Sequence, residues 1–138
     1  MAEFSEFVAA QDRVWADVRA ELRAGRKTSH WIWFVFPQLA HLGRSERARH
    51  FGLSGLEEAR RYHAHSVLGS RLAEVAGLLM DHRGTEPALI LGEIDALKVR
   101  SSMTLFEAVA GAPILYGRIL DEMYHGSRCE ATRAELAS

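Results

Sequence analysis

Residues 25–38, GRKTSHWIWFVFPQ, restrict the fold of this chain more than any other stretch. A polar run through Arg26, Lys27, Thr28, Ser29 and His30 ends abruptly in six consecutive apolar residues, Trp31 to Phe36, and Pro37 and Gln38 close it. Both parities of the apolar run are filled, so it lacks the alternation of a half-buried strand, and it is too short to show a helical face. A segment that is apolar on both sides is expected to be buried on both sides. The polar residues before it are then held at the rim of a core. An aromatic floor with a cationic lip is one way to build a pocket.

The rest of the chain reads as helix. Phe7, Gln11, Val14, Val18 and Leu22 recur three or four apart, which predicts one helix over 5–24 with Ser5 as cap and Gly25 as stop. Ser45 is placed to cap a short helix through Arg49. Ser54 and Glu57 have capping-box spacing ahead of a stripe through Leu56, Ala59 and His63. Ser66 is the expected cap of a helix with the seam Leu68, Leu72, Val75 and Leu79. Thr85-Glu86-Pro87 opens a short segment through Leu91, with proline early in the first turn. Asp95 is the expected cap of a helix to Ala110, whose seam is Val99, Met103, Phe106 and Ala110. Ile114 to His125 forms the last substantial helix, and the polar tail 127–138 is expected to pack weakly. No Val/Ile/Thr-rich alternation calls for a sheet. The expectation is a compact all-α single domain over 1–138, with room for one short extended piece at 31–36.

Composition excludes several function classes. A chain of 138 residues with formal charge −1 lacks the basic field that bulk nucleic-acid binding uses. Its one cysteine, Cys129, excludes an internal disulfide and a multi-thiolate metal site within one chain. The histidines form no ligand set by spacing, so no metal and no cofactor is assigned. The acidic start and the shortness of the longest apolar run argue against a secretory signal and a membrane span. A cytoplasmic protein, monomeric or homo-oligomeric, is expected.

Chemistry concentrates in two places. Arg26 and Lys27 form the cationic lip, suited to a phosphate or carboxylate, and the same charges also suit the C-terminal dipole of the first helix. Ser29 and His30 adjoin them. His30 is the residue best tuned for proton transfer, with a reference pKa near 6.5; the alternative is a core-edge histidine bonded to a backbone carbonyl. Trp31 and Trp33 offer a stacking face or pack in the core, and Gln38 can meet a planar amide or base edge. The second place is GEIDALKVRSSMTLF at 92–106. Serine is a mediocre helix former, so adjacent Ser101 and Ser102 ask for a reason: a close helix crossing, or hydroxyls that face a ligand. Asp95, Lys98 and Ser102 share one helix side, and Thr104 extends the hydroxyl row.

These two motifs, together with Phe7–Gln11, HLGRS at 41–45 and HSVLGSRL at 65–72, resemble the DUF1810 family of uncharacterised bacterial proteins. The resemblance runs from about Phe7 to Thr132 and implies a small, mainly helical domain. It implies no established activity, and nothing in the residues supports the inhibitor label "calpastatin" that some members carry. Thr28, Ser66 and Cys129 depart from the family pattern, the last where an aspartate is usual.

Three functional readings follow. The favoured one is a pocket for a small anionic or phosphorylated ligand such as a nucleotide, with Arg26, Lys27, Ser29, Trp31, Trp33, Gln38, Ser101, Ser102 and Thr104 binding it. A sharper version is a hydrolase or group-transfer enzyme acting on a phosphorylated metabolite, with His30 as acid or base, Lys98 stabilising negative charge and Asp95 orienting Lys98. The rival is a non-enzymatic binding or assembly protein that docks through an exposed aromatic surface.

Overall fold

Helix α1, Phe4–Ala24, is set at both ends by local chemistry in the computed structural model, which describes residues 2–138. Glu3 and Glu6 form a reciprocal capping box, so the N-cap is Glu3 and Ser5 lies inside the helix. A glutamate pair at that spacing satisfies two orphan N–H groups at once, which a lone serine hydroxyl does not. Gly25 closes the helix in the left-handed conformation, with φ of 72°. The buried stripe of α1 includes Phe7, Val18 and Leu22 and packs on α5, Ser66–Met80.

The remaining helices are α2, Ile32–Val35; α3, Glu46–His50; α4, Leu56–Ala64; α6, Pro87–Leu91; α7, Glu93–Glu107; α8, Leu115–Met123; and α9, Glu130–Leu136. A 3-10 turn covers Ala40–Leu42. Among the described residues there is no strand, only one isolated parallel bridge between Leu39 and Leu53. The fold is all-α, and residues 32–35 make one helical turn where an extended piece had room.

Helix α7 is the axis of the domain. It contacts α2, α4, α6, α8 and α9, and every residue from Ser101 to Phe106 is buried. This surrounding explains the small hydroxyl residues, which let neighbouring elements approach. Phe106 and Tyr62 are fully buried with ring centroids 5.5 Å apart, and Tyr62 stands 5.3 Å from Phe7. The aromatic contacts thus join α1, α4 and α7.

Four local expectations are corrected. His65, not Ser66, caps α5, because its Nδ1 accepts from the N–H groups of Val67 and Leu68. Gly55, not Ser54, precedes α4, and the Ser54 N–H is taken by the Glu58 carboxylate. Helix α7 starts at Glu93 after Gly92, which leaves Asp95 in its first turn with the carboxylate free for another partner. The helix ends at Glu107, before the positive-φ Gly111, so Ala110 is exposed and Val109 is the buried residue. The tail also packs more firmly than its polarity suggests: Cys129 and Thr132 are buried and α9 lies on α7.

The irregular stretch between α1 and α4 has little secondary structure to satisfy its backbone, so side chains of α1 do it. The Glu21 carboxylate accepts from the N–H groups of Thr28 and Ser29 at 2.7 and 2.9 Å, from the Ser29 hydroxyl, and from the Trp31 indole at 3.1 Å. Burial alone would raise its pKa, but these donors prevail and hold it at about 2. Nearly three turns earlier on the helix, the buried Gln11 amide donates to the Phe34 carbonyl at 2.7 Å and to the Tyr62 hydroxyl at 3.2 Å. Its own oxygen accepts from Arg71.

Three measurements check this account. Phe106→Ala should cost about 3–5 kcal/mol in urea denaturation, and a loss below about 1 kcal/mol would show that the ring is not a packed core element. A Cβ at Gly69 would sit 2.0 Å from the His63 carbonyl oxygen, where α4 turns into α5. Gly69→Ala should therefore destabilise by about 1–3 kcal/mol, as overpacking does. Glu21 contributes to the pH dependence of stability. A carboxylate depressed from 4.5 to about 2 stabilises the fold above its unfolded pKa, and that contribution disappears as pH falls through this window. The stability gap between wild type and Glu21→Gln should shrink on acidification from neutral pH, and a gap that stays constant would refute the assignment.

Candidate functional site

The polar half of residues 25–38 is folded down onto α7 rather than held out as a lip. The Lys27 backbone N–H donates to the Ile90 carbonyl at 2.8 Å, which ties the segment to α6. Its side chain is only 6% exposed. The ammonium pairs with Asp95 at 2.8 Å, donates to the Ser29 carbonyl, and lies 4.9 Å from the Trp31 ring centroid. A desolvated lysine with these partners is an internal bolt, because a buried charge persists only when paired and hydrogen-bonded.

Asp95 faces both lysines of the chain. Its second carboxylate oxygen stands 3.8 Å from the Lys98 Nζ, one helical turn on. Lys98 is the more open of the two, and its ammonium lies 5.7 Å from the Trp33 ring centroid. The Arg47 guanidinium, from α3, lies 5.1 Å from the same ring. The half-buried Trp33 is therefore bordered by two cations, an arrangement favoured by the ring quadrupole.

Beside Lys98 a cleft of about 390 Å³ opens between residues 38–48 and the N-terminal half of α7. Leu42, Ala48, Ile94 and Leu97 give it an apolar floor. Gln38, Arg44, Ser45, Lys98 and Ser101 supply polar groups, and the buried Cys129 closes one side. Arg44 is exposed, and no ion pair among the described residues involves it. A larger hollow of about 600 Å³ over Glu46–Phe51 has only that one short stretch as its wall, so it cannot enclose a ligand.

The two sequence clusters thus meet at Asp95, but only part of the expected set lines the cleft. Gln38, Lys98 and Ser101 do; Lys27 and Asp95 stand one step behind. Ser29 and Trp31 are held by Glu21, and Trp31 is fully buried. Ser102 and Thr104 point into the protein. Thr104 donates to the Arg100 carbonyl at 2.7 Å and accepts from the Cys129 N–H at 3.0 Å. Arg26 and His30 are exposed and do not line the cleft.

Arg44, Ser45 and Cys129 were not singled out as site residues. The signal for Arg44 lay in HLGRS, a stretch with no acid before Glu46 to neutralise it. Glu21 was also missed, since nothing in an amphipathic helix marks one outward glutamate as the anchor of a distant loop. Among the described residues no group of three or more His, Cys, Asp or Glu side chains is placed to hold a metal, and no helix is long and apolar enough to cross a membrane.

The fold recurs in a solved structure. The chain is 46% identical to the conserved hypothetical protein Rv1873 from Mycobacterium tuberculosis, whose crystal structure matches it with a TM-score of 0.94. The match covers 97% of this chain and 96% of that one. Comparison with curated proteins finds no match. The model of the family described as "Protein of unknown function (DUF1810)" matches residues 1–136, and the chain belongs to that family.

Proposed function

We propose that the cleft between residues 38–48 and α7 binds a small anionic ligand, a phosphorylated metabolite with a flat or aliphatic body; nucleotides have this form. The observation that carries the reading is that one cleft combines an apolar floor with the Arg44 guanidinium and the Lys98 ammonium in its lining. Arg44 offers a planar fork to two anionic oxygens, and Lys98 offers a point charge. Gln38 adds a directional partner for polar atoms of the ligand body, while the Ser101 hydroxyl already donates to the Leu97 carbonyl at 3.2 Å and keeps only acceptor capacity. Lys27 contributes indirectly. By occupying one oxygen of Asp95, it shares the carboxylate that would otherwise neutralise Lys98 alone.

The proposal is for binding. No histidine lines the cleft, so the expected acid or base at His30 has no place in it. The aromatic docking surface is limited to Trp33, because the Trp31 ring is inside the core.

Calorimetric titration with nucleoside phosphates, sugar phosphates and inorganic phosphate tests the reading. Saturable binding is expected from at least one organic phosphate, tighter than from inorganic phosphate because only the former covers the apolar floor. Arg44→Ala and Lys98→Ala should each weaken it by about 10–100-fold, the scale of a hydrogen bond to a charged group. Absence of saturable binding across the set, or binding indifferent to both substitutions, would overturn the proposal.

A further inference from the structure

Residues 41–50, HLGRSERARH, set three arginines and two histidines against the single acid Glu46, in a chain whose formal charge is −1. This excess of base is a local feature. Both histidines are engaged, His41 with Glu135 at 3.6 Å and His50 with Glu6 at 2.9 Å. The arginines are not. Arg44, Arg47 and Arg49 are all exposed, and no ion pair among the described residues involves any of them.

Two of the three are brought together by the backbone. On one continuous helix, residues five apart point about 140° away from each other. Arg44 and Arg49 escape this because Arg44 precedes α3, whose cap is Ser45. Gly43 lets the incoming chain lie against the helix: a Cβ there would stand 2.8 Å from the Ala48 carbonyl carbon and 2.9 Å from the Arg49 nitrogen. The Arg49 guanidinium reaches back to donate to the Arg44 carbonyl at 3.4 Å, which leaves its other donors free. Both arginines line a hollow of about 420 Å³, with His41, Leu42 and Gly43. Arg44 also lines the cleft described above, so the two spaces adjoin at this side chain, and no carboxylate lines either. The hollow is built from one stretch of chain and encloses nothing by itself. It is a shelf beside the cleft, which suits a charged group that keeps part of its hydration.

We infer that the ligand of the cleft carries a second phosphate joined to the first, as a nucleoside diphosphate does, and that Arg49 receives it on the shelf beyond Arg44. This rests on anion binding in the cleft and adds the class of ligand. The apolar body covers the cleft floor, the first phosphate meets Lys98 and Arg44, and the phosphate chain continues past Arg44 to Arg49. A guanidinium carries donors on more than one edge, so Arg44 serves both phosphates. Lys98 already shares the Asp95 carboxylate, so a lone phosphate meets one cation without an ionic partner, Arg44. A diphosphate meets two, each with the planar fork that suits phosphate oxygens. Arg47 takes no part: its guanidinium lies over the Trp33 ring and lines neither the cleft nor the shelf.

Calorimetric titration of the full chain with the mono- and diphosphates of adenosine, guanosine, cytidine and uridine tests it. For a nucleoside that binds, the diphosphate is expected about 10-fold tighter than the monophosphate, the scale of a hydrogen bond to a charged group. Arg49→Ala should bring that ratio close to one, and Arg49→Lys, which keeps the charge and loses the fork, should keep part of it. Arg47→Ala removes the same charge from the same helix and should leave the ratio as in the wild type. Circular dichroism should be unchanged in these variants, because both side chains are exposed. A wild-type ratio near one, a ratio untouched by Arg49→Ala, or one that falls equally in Arg47→Ala would overturn the inference; the cleft proposal would still stand on monophosphate binding that depends on Arg44 and Lys98. Absence of saturable binding by every nucleotide would overturn it too, while binding of a sugar phosphate would keep the cleft proposal.

Discussion

The carboxylate of Glu21 is the interaction on which the unusual third of this protein depends. It accepts four hydrogen bonds from residues 28–31, a stretch with no sheet and almost no helix to satisfy its backbone. The Ser29 and Trp31 donors among them are partly buried and would otherwise be left beside the core that Trp31 enters. A single acceptor with two oxygens replaces the ladder that a strand would have used. Gln11 repeats the device on the same helix by taking the Phe34 carbonyl. Helix α1 therefore acts as a template: its apolar stripe packs on α5, and two polar residues on it hold the chain that follows.

The second constraint runs through Asp95. Because α7 begins at Glu93, this carboxylate is not used up as a cap and can receive Lys27 from one side and Lys98 from the other. The buried pair locks the 25–31 segment against α7. The open pair leaves a cation at the cleft. One residue thus couples the positioning of the aromatic run to the charge of the candidate site, and the cation-bordered Trp33 lies between them.

Much of the fold was legible in local pattern. The α1 and α5 stripes are long enough for 3.6-residue periodicity to declare itself, and Gly25 ends α1 as its sequence position suggests. Boundaries were less legible where two capping residues compete within a turn. Glu3 prevailed over Ser5, and His65 over Ser66, because each offered better-placed acceptors for two N–H groups or a reciprocal pair. The weakly polar look of the tail misled for a different reason: the surface that buries Thr132 belongs to α7, some thirty residues away in sequence, and leaves no trace nearby.

What the sequence determined by itself was the helical class, the burial of an apolar run filled on both parities, and the concentration of unusual polar residues at 25–38 and 92–106. These follow from periodicity and composition, which act over a few residues. The tertiary structure alone decided which polar groups remain available. It withdrew Lys27, Ser29, Ser102 and Thr104 into internal bonds or the core, left Arg44 without a carboxylate, and brought Gln38 and Lys98 to one cleft. Availability depends on partners brought together across long loops. A residue's chemical type states what it can bind, but only the folded chain states whether that capacity has already been used.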